Sequence, residues 1–330
     1  MLAVNTSGNT PLTVMLAPME GVVDHLMRDM LTRIGGYDLC VTEFVRVVEQ
    51  KIPNHVFYRL CPELREGGKT PSGVPVRVQL LGQYPQWMAY NAAKAVELGS
   101  PGVDINFGCP AKTVNKSRGG AVLLNEPETL HAIVSAVRSE VDEQLPVTAK
   151  IRLGFEEKEQ VFANVRALEE AGASAITIHA RTKTDGYKPP AYWDWIAKVK
   201  AQCSVPIIAN GEIWNEADAR RCVDVSQCQQ LMVGRGALSM PNLALHIKHQ
   251  HAPMPWSEVT DWLVAYSGYE IFGDKGRYYP NRIKQWFGYL KNQYYEAAVV
   301  FDEIRRLRES DAIVEVIRNH QGLQATATTR

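Results

Sequence analysis

The residues of this chain best suited to chemistry stand in short motifs well apart in the sequence. Cys109 lies in Phe107-Gly108-Cys109-Pro110, between a glycine and a proline. That is an exposed-loop setting in which a purely structural thiol is unexpected. A thiol of ordinary pKa, about 8.5, is mostly protonated at neutral pH, so Cys109 can donate a proton as readily as it can act as a nucleophile. Asn210-Gly211-Glu212 and Gly234-Arg235-Gly236-Ala237 each follow an apolar run. Backbone N–H groups in such places, helped by an arginine, can hold a phosphate. Isolated glycines could merely make tight turns. Two matched motifs, one carrying Arg235, favour an organic phosphate.

No GxGxxG follows the first apolar run, so FMN or another monophosphate fits better than a tightly held NAD. A flavin needs donors at its pyrimidine edge and a positive charge where the reduced ring becomes anionic. Gln79, Lys150 and His179 are the candidates. No Ser-His-Asp elbow, HExxH or persuasive carboxylate pair is present, so hydrolase chemistry is disfavoured. His246, His249 and His251 read as solvent-facing histidines at a domain junction, Cys222 and Cys228 as core residues, and no metal site is expected.

The elements that must position these residues are legible as eight runs rich in Val, Ile and Leu, at 13–18, 38–45, 74–81, 103–108, 147–153, 174–180, 205–211 and 229–236. Helix-like segments separate them, at 23–34, 85–98, 126–138, 157–171 and 215–223 among others, with Asn215 placed as an N-cap. Strands buried on both faces and joined by helices form a parallel sheet, and eight such units match an α/β barrel, the (β/α)8 TIM barrel. A doubly wound sheet is the alternative. The barrel is preferred because nearly every run ends in polar residues: Met19 and Glu20, Glu43 and Arg46, Gln79, Asn106 and Cys109, Lys150 and Arg152, His179 and Arg181, Asn210 and Glu212, Gly234 and Arg235. They converge only if the sheet closes.

A His- and Pro-rich stretch at 241–257 marks the end of a barrel placed at 11–250, and a C-terminal all-helical bundle is expected at 251–320. Its predicted helices are 257–273, 282–292, 294–308 and 311–319. From 275 to 318, nine Lys or Arg stand against six Asp or Glu, with Tyr278, Tyr279, Trp286, Tyr289, Tyr294 and Tyr295 interleaved. Composition bounds the rest. The 330 residues include 36 Lys or Arg and 36 Asp or Glu, so overall charge announces no nucleic-acid binder, although a local patch would suffice. Six cysteines without a CxxC pair exclude a disulfide framework. Neither a signal peptide nor a membrane-length apolar stretch is present, so a cytoplasmic, soluble protein is expected, and no dimerisation signal is visible, which favours a monomer.

These motifs resemble those of the tRNA-dihydrouridine synthases. The matching pieces are LAPMEGVVD at 16–24, TEF at 42–44, VQLLG at 78–82, NFGCP at 106–110, GAVLL at 120–124, KIRLG at 150–154, HARTK at 179–183, ANGEI at 209–213 and GRGAL at 234–238. RIKQW at 282–286 and FVRVVE at 44–49 are most similar to the bacterial C type, which implies uridine 16 of the tRNA D-loop. The resemblance implies that Cys109 protonates C5 of uracil while reduced FMN delivers hydride to C6, with NADPH as transient reductant. It places Pro18, Met19, Glu20, Gln79, Lys150, His179, Asn210, Gly211, Glu212, Gly234 and Arg235 around the flavin. Asn106 would orient the base and Arg181 lie near it, with Arg46, Arg282 and Lys284 as tRNA contacts. Arg118 departs from the small residue usual there. Two other classes fit the residues less well: an FMN barrel reductase acting on a free pyrimidine or other small unsaturated substrate, and a non-catalytic tRNA-binding factor.

Overall fold

The computed structural model describes residues 11–272 and 276–321; Gly273 and Lys275, counted above in the helical tail, lie outside them. Eight parallel strands, β1 Thr13–Leu16, β2 Leu39–Arg46, β3 Val76–Leu81, β4 Val103–Asn106, β5 Val147–Arg152, β6 Ala175–His179, β7 Ile207–Asn210 and β8 Gln230–Val233, close into a barrel in sequence order. Closure is made by β1 on β8, with Thr13 opposite Gln230 and Leu16 opposite Val233. A doubly wound sheet is thereby excluded.

Alternation along each strand explains which residues face inward. In β5, Ala149 and Ile151 are fully buried in the core between strands and helices, while Thr148, Lys150 and Arg152 take the alternate positions. The same period selects Gln79, Asp104 and Asn106, His179 and Asn210 on their strands. Deeper in the barrel, Leu39, Val41, Ile208 and Met232 pack into a small apolar cluster. The barrel interior therefore combines this apolar cluster with buried polar side chains, Asp104 and Thr148 among them, that continue below the C-terminal ends of the strands.

The read helices form as His25–Ile34, Pro85–Glu97, Pro127–Glu140, Gln160–Glu170 and Glu216–Ser226. Asn215 caps the last, its side chain accepting from Asp218 N at 2.8 Å. Three short helices, Asn54–Leu60, Lys112–Lys116 and Trp193–Lys200, were not legible. They are too short to establish a helical period.

After Leu243–His249 come four more helices, Trp256–Ile271, Tyr279–Leu290, Tyr295–Ile304 and Ser310–Asn319. They share a continuous buried cluster with the barrel, running from Val14 to Ile317. Helix Tyr279–Leu290 lies against the barrel: Trp286 Nε1 donates to the Leu238 carbonyl at 3.1 Å. Arg282 on the same helix reaches Asp24 Oδ2, just past β1, at 2.8 Å, and Glu270 Oε1 at 2.6 Å. Among the described residues no helix is long and apolar enough to cross a membrane.

Candidate active site

The C-terminal ends of the strands enclose a cavity of about 500 Å³. Its walls bring together Pro18, Met19, Glu20, Gln79, Asn106, Cys109, Lys150, His179, Asn210, Gly211, Glu212, Gly234 and Arg235. All come from the motifs singled out in the sequence.

Two hydrogen-bond clusters order this wall. In the first, Asn210 Nδ2 donates to the Met232 carbonyl at 2.8 Å, which leaves its Oδ1 to accept from Lys150 Nζ at 3.1 Å and to face His179 Nδ1 at 3.1 Å. An amide oxygen only accepts, so His179 carries its proton on Nδ1. Its Nε2 is then a bare acceptor, buried and without a protein partner. Burial, reinforced by the charges of Arg152, Lys150 and Arg181, holds this imidazole well below its ordinary pKa, so it is neutral. Burial also lowers Lys150, to about 8, with Arg152 adding to the effect.

The second cluster holds Cys109. Asn106 Oδ1 accepts from the backbone N–H groups of Gly108 and Cys109, each at 2.9 Å, and Asn115 Nδ2 donates to the Cys109 carbonyl at 2.9 Å. Burial raises the half-buried thiol above its ordinary range, and Arg152 and Lys150 offset this only in part. Cys109 is therefore a thiol rather than a thiolate at neutral pH, and a proton donor. Beneath it, burial raises the Asp104 carboxyl, while hydrogen bonds from Thr148 and Gln79 oppose that shift.

The glycine motifs serve close approach. A Cβ on Gly236 would stand 2.2 Å from the Ile213 carbonyl oxygen, and one on Gly211 would meet the His179 ring at 3.1 Å. At the start of helix Arg235–Ser239 the N–H groups of Arg235 and Gly236 precede the first bond of the turn, which Ala237 N–H makes to the Gly234 carbonyl at 2.9 Å. A ligand that fits must bring acceptors to these donors and to Lys150, and a donor to His179 Nε2. A flavin mononucleotide carries both.

Several lining residues were not among the expected site residues. Arg152 donates to the carbonyls of Gly108, Thr182 and Gly186 and lies 5.1 Å from the Tyr187 ring centroid. Arg235 lies 4.8 Å from Tyr187 and 5.0 Å from Trp214. Tyr289 reaches the cavity from the helical region. The long connection between His179 and Trp193 was the available signal for Tyr187, since long ordered loops are commonly functional.

Arg181, expected near the uridine, and Arg46, Arg282 and Lys284, expected as tRNA contacts, lie outside the cavity wall. Arg181 is fully buried outside the cavity wall; it pairs with Glu212 and donates from Nε to the Lys188 carbonyl at 2.7 Å. It braces the loop that carries Tyr187. Arg282 is taken up between Asp24 and Glu270, and Lys284 donates to the Leu307 carbonyl. Arg46 is exposed and donates to Ser117. Arg118 adopts a left-handed φ of 53° and pairs with Glu126 at 2.6 Å. His246 Nδ1 lies 2.5 Å from the His251 carbonyl, and burial pushes the Cys222 thiol up to about 12. Among the described residues no His, Cys, Asp and Glu side chains gather as a metal site.

A model of the dihydrouridine synthase family, Dus, matches residues 15–320. The chain belongs to the dihydrouridine synthase family. This synthase is 56% identical over 309 residues to the tRNA-dihydrouridine(16) synthase of Vibrio cholerae, covering 93% of this chain and 96% of that one. It is 57% identical over 308 residues to the enzyme of the same name from Shewanella oneidensis, covering 93% and 98%. The tRNA-dihydrouridine(16) synthase of Escherichia coli is 49% identical over 306 residues, covering 92% and 97%. Among solved structures, a 2-naphthoyl-CoA reductase complex superposes with a TM-score of 0.54 at 14% identity, over 71% of this synthase and 49% of that chain. A morphinone reductase in complex with tetrahydroNAD gives 0.51 at 12% identity, over 73% and 87%. These two likenesses are of fold: the barrel is shared.

Proposed function

We propose that this synthase reduces uridine 16 of tRNA to 5,6-dihydrouridine, with FMN as the bound cofactor, NADPH as the reductant and no obligate protein partner. The observation that carries the reading is the meeting in one cavity of a protonated Cys109 with the Lys150, Asn210 and His179 cluster. FMN, when bound, supplies the hydride that saturates C6. The chain's own residues do the rest. Cys109 Sγ gives its proton to C5, and the Asn106 clamp fixes the backbone from which that thiol projects. Lys150 offers positive charge, and His179 accepts through Nε2. The backbone N–H groups of Arg235 and Gly236 and the Arg235 guanidinium suit the phosphate. Tyr187 and Trp214, stacked with Arg235, and Tyr289 give the mouth aromatic surface for a base turned out of its stack, a step that costs a few kcal/mol. The high identity to three tRNA-dihydrouridine(16) synthases supports the position. Position-resolved nucleoside mass spectrometry of unmodified tRNA, after incubation with flavin-loaded protein and NADPH, tests the reading.

The titration of Lys150 gives a second expectation. Below about pH 8 the ammonium is charged; above it the neutral amine predominates. The rate at which NADPH reduces the bound flavin should be level up to pH 7 and fall roughly tenfold per pH unit well above the midpoint. Lys150→Arg should extend the plateau upward, and Lys150→Ala should retain flavin more weakly and react more slowly at every pH. A profile unchanged in both variants would remove Lys150 from the site.

A further inference from the structure

A directional hydrogen-bond chain runs below the cavity through three strands. Asn106 Oδ1 accepts from two backbone N–H groups, which can only donate. Its Nδ2 therefore faces Gln79, and donates to Gln79 Oε1 at 2.8 Å. Gln79 must in turn present Nε2 at its other end, and donates to Asp104 Oδ2 at 2.7 Å. Asp104 completes the chain as an acceptor, its other oxygen held by Thr148 Oγ1 at 2.6 Å. Arg77 NH1 lies 3.3 Å from that hydroxyl. Register places Gln79 opposite Asp104 and Asp104 opposite Thr148. Asp104 and Gln79 are almost wholly enclosed, at 1% and 0% exposure, so no water competes for these groups.

We propose that Asp104 is a positioning residue for Cys109: its buried acceptor sets the orientation of the Gln79 amide, which sets that of Asn106, which fixes the loop bearing the thiol. The proposal rests on the reading of Cys109 as the proton donor. Asp104 is too deep to touch substrate; it reaches Cys109 through Gln79 and Asn106, and its charge also favours the ammonium form of Lys150. What the chain requires of position 104 is an acceptor rather than a charge. An asparagine there keeps an oxygen for Gln79 and turns its NH2 to the Thr148 hydroxyl, which can accept. A leucine offers nothing, and the Gln79 amide loses its fixed orientation.

The test uses the flavin-loaded full chain and three readouts: iodoacetamide labelling of Cys109 followed by peptide mass spectrometry, reduction of the flavin by NADPH, and its reoxidation by unmodified tRNA. Asp104→Leu should speed Cys109 labelling at least about fivefold and slow reoxidation by tRNA about tenfold to a hundredfold, as small misplacements of a reacting group do. Reduction by NADPH, followed at pH 6 where Lys150 keeps its charge without Asp104, should stay within about twofold, which a general loss of structure would not allow. Asp104→Asn should match the wild type within about threefold throughout, with reduction again followed at pH 6. Should Asp104→Leu fail to fold, the smaller Asp104→Val decides: it too removes the acceptor and should speed Cys109 labelling in the same way. Wild-type behaviour of the folded Leu or Val variant, or an equal effect of Asn at position 104, would overturn the proposal. Labelling needs no RNA, so a protein that leaves tRNA untouched would refute the proposed reaction while the positioning chain is still decided.

Discussion

Cys109→Ala is expected to lower the rate of tRNA reduction by about 10²- to 10⁴-fold, the range that loss of a positioned general acid produces. Reduction of the bound flavin by NADPH should be unchanged. The split follows from the cavity. Cys109 stays protonated because burial disfavours its thiolate, and its backbone is tied on both sides by Asn106 and Asn115. His179 cannot replace it: the only proton of the neutral ring is turned towards Asn210. Flavin reduction, by contrast, requires no proton from the thiol. Single-turnover kinetics on pre-reduced protein separate the two steps, and an equal loss of both would remove Cys109 from the role of acid.

The largest structural effect is expected at Arg282. Its guanidinium is shared between Asp24, on the loop after β1, and Glu270 of helix Trp256–Ile271, and it also reaches Tyr266 Oη at 3.1 Å. Glu270 is fully buried and the Asp24 side chain is 4% exposed. Arg282→Ala leaves two buried carboxylates without the cation they share, a loss of about 3–5 kcal/mol for a buried pair broken on one side. Calorimetry should show Tm lowered by roughly 10 °C. The variant should also lose tRNA reduction through misplacement of helix Tyr279–Leu290, which brings Tyr289 to the cavity. An unchanged Tm with weakened tRNA binding would instead return Arg282 to the RNA surface, where the sequence had placed it.

The contrast between Cys109 and Arg282 shows what the sequence could and could not disclose. Residues at the ends of apolar runs were legible as a group because barrel closure forces strand ends together, and Lys150, His179, Asn210 and Arg235 meet for that reason. The alternation of Thr148, Lys150 and Arg152 with Ala149 and Ile151 was a further sign, since polar residues at every second place of a buried strand face a barrel interior. Partnerships across long separations carried no such sign. Arg282 and Asp24 are far apart in sequence, and a cation in an aromatic helix reads equally as an RNA contact or an ion-pair partner. Arg181, two residues beyond His179, was expected to face the substrate, yet it is turned beneath the loop to Glu212. Tyr187 and Tyr289 lie in a loop and a helix whose routes to the mouth only the folded chain defines.

The central claim is reduction of one uridine in tRNA, and nucleoside mapping tests it most directly. Unmodified host tRNA, incubated with purified flavin-loaded protein and NADPH, should gain two hydrogens at uridine 16 of the D-loop, resolved by position in nuclease fragments. Gain at a different uridine would keep the chemistry and contradict the assigned position. No gain, from a yellow protein that still oxidises NADPH, would contradict the account and move the substrate to a small unsaturated molecule.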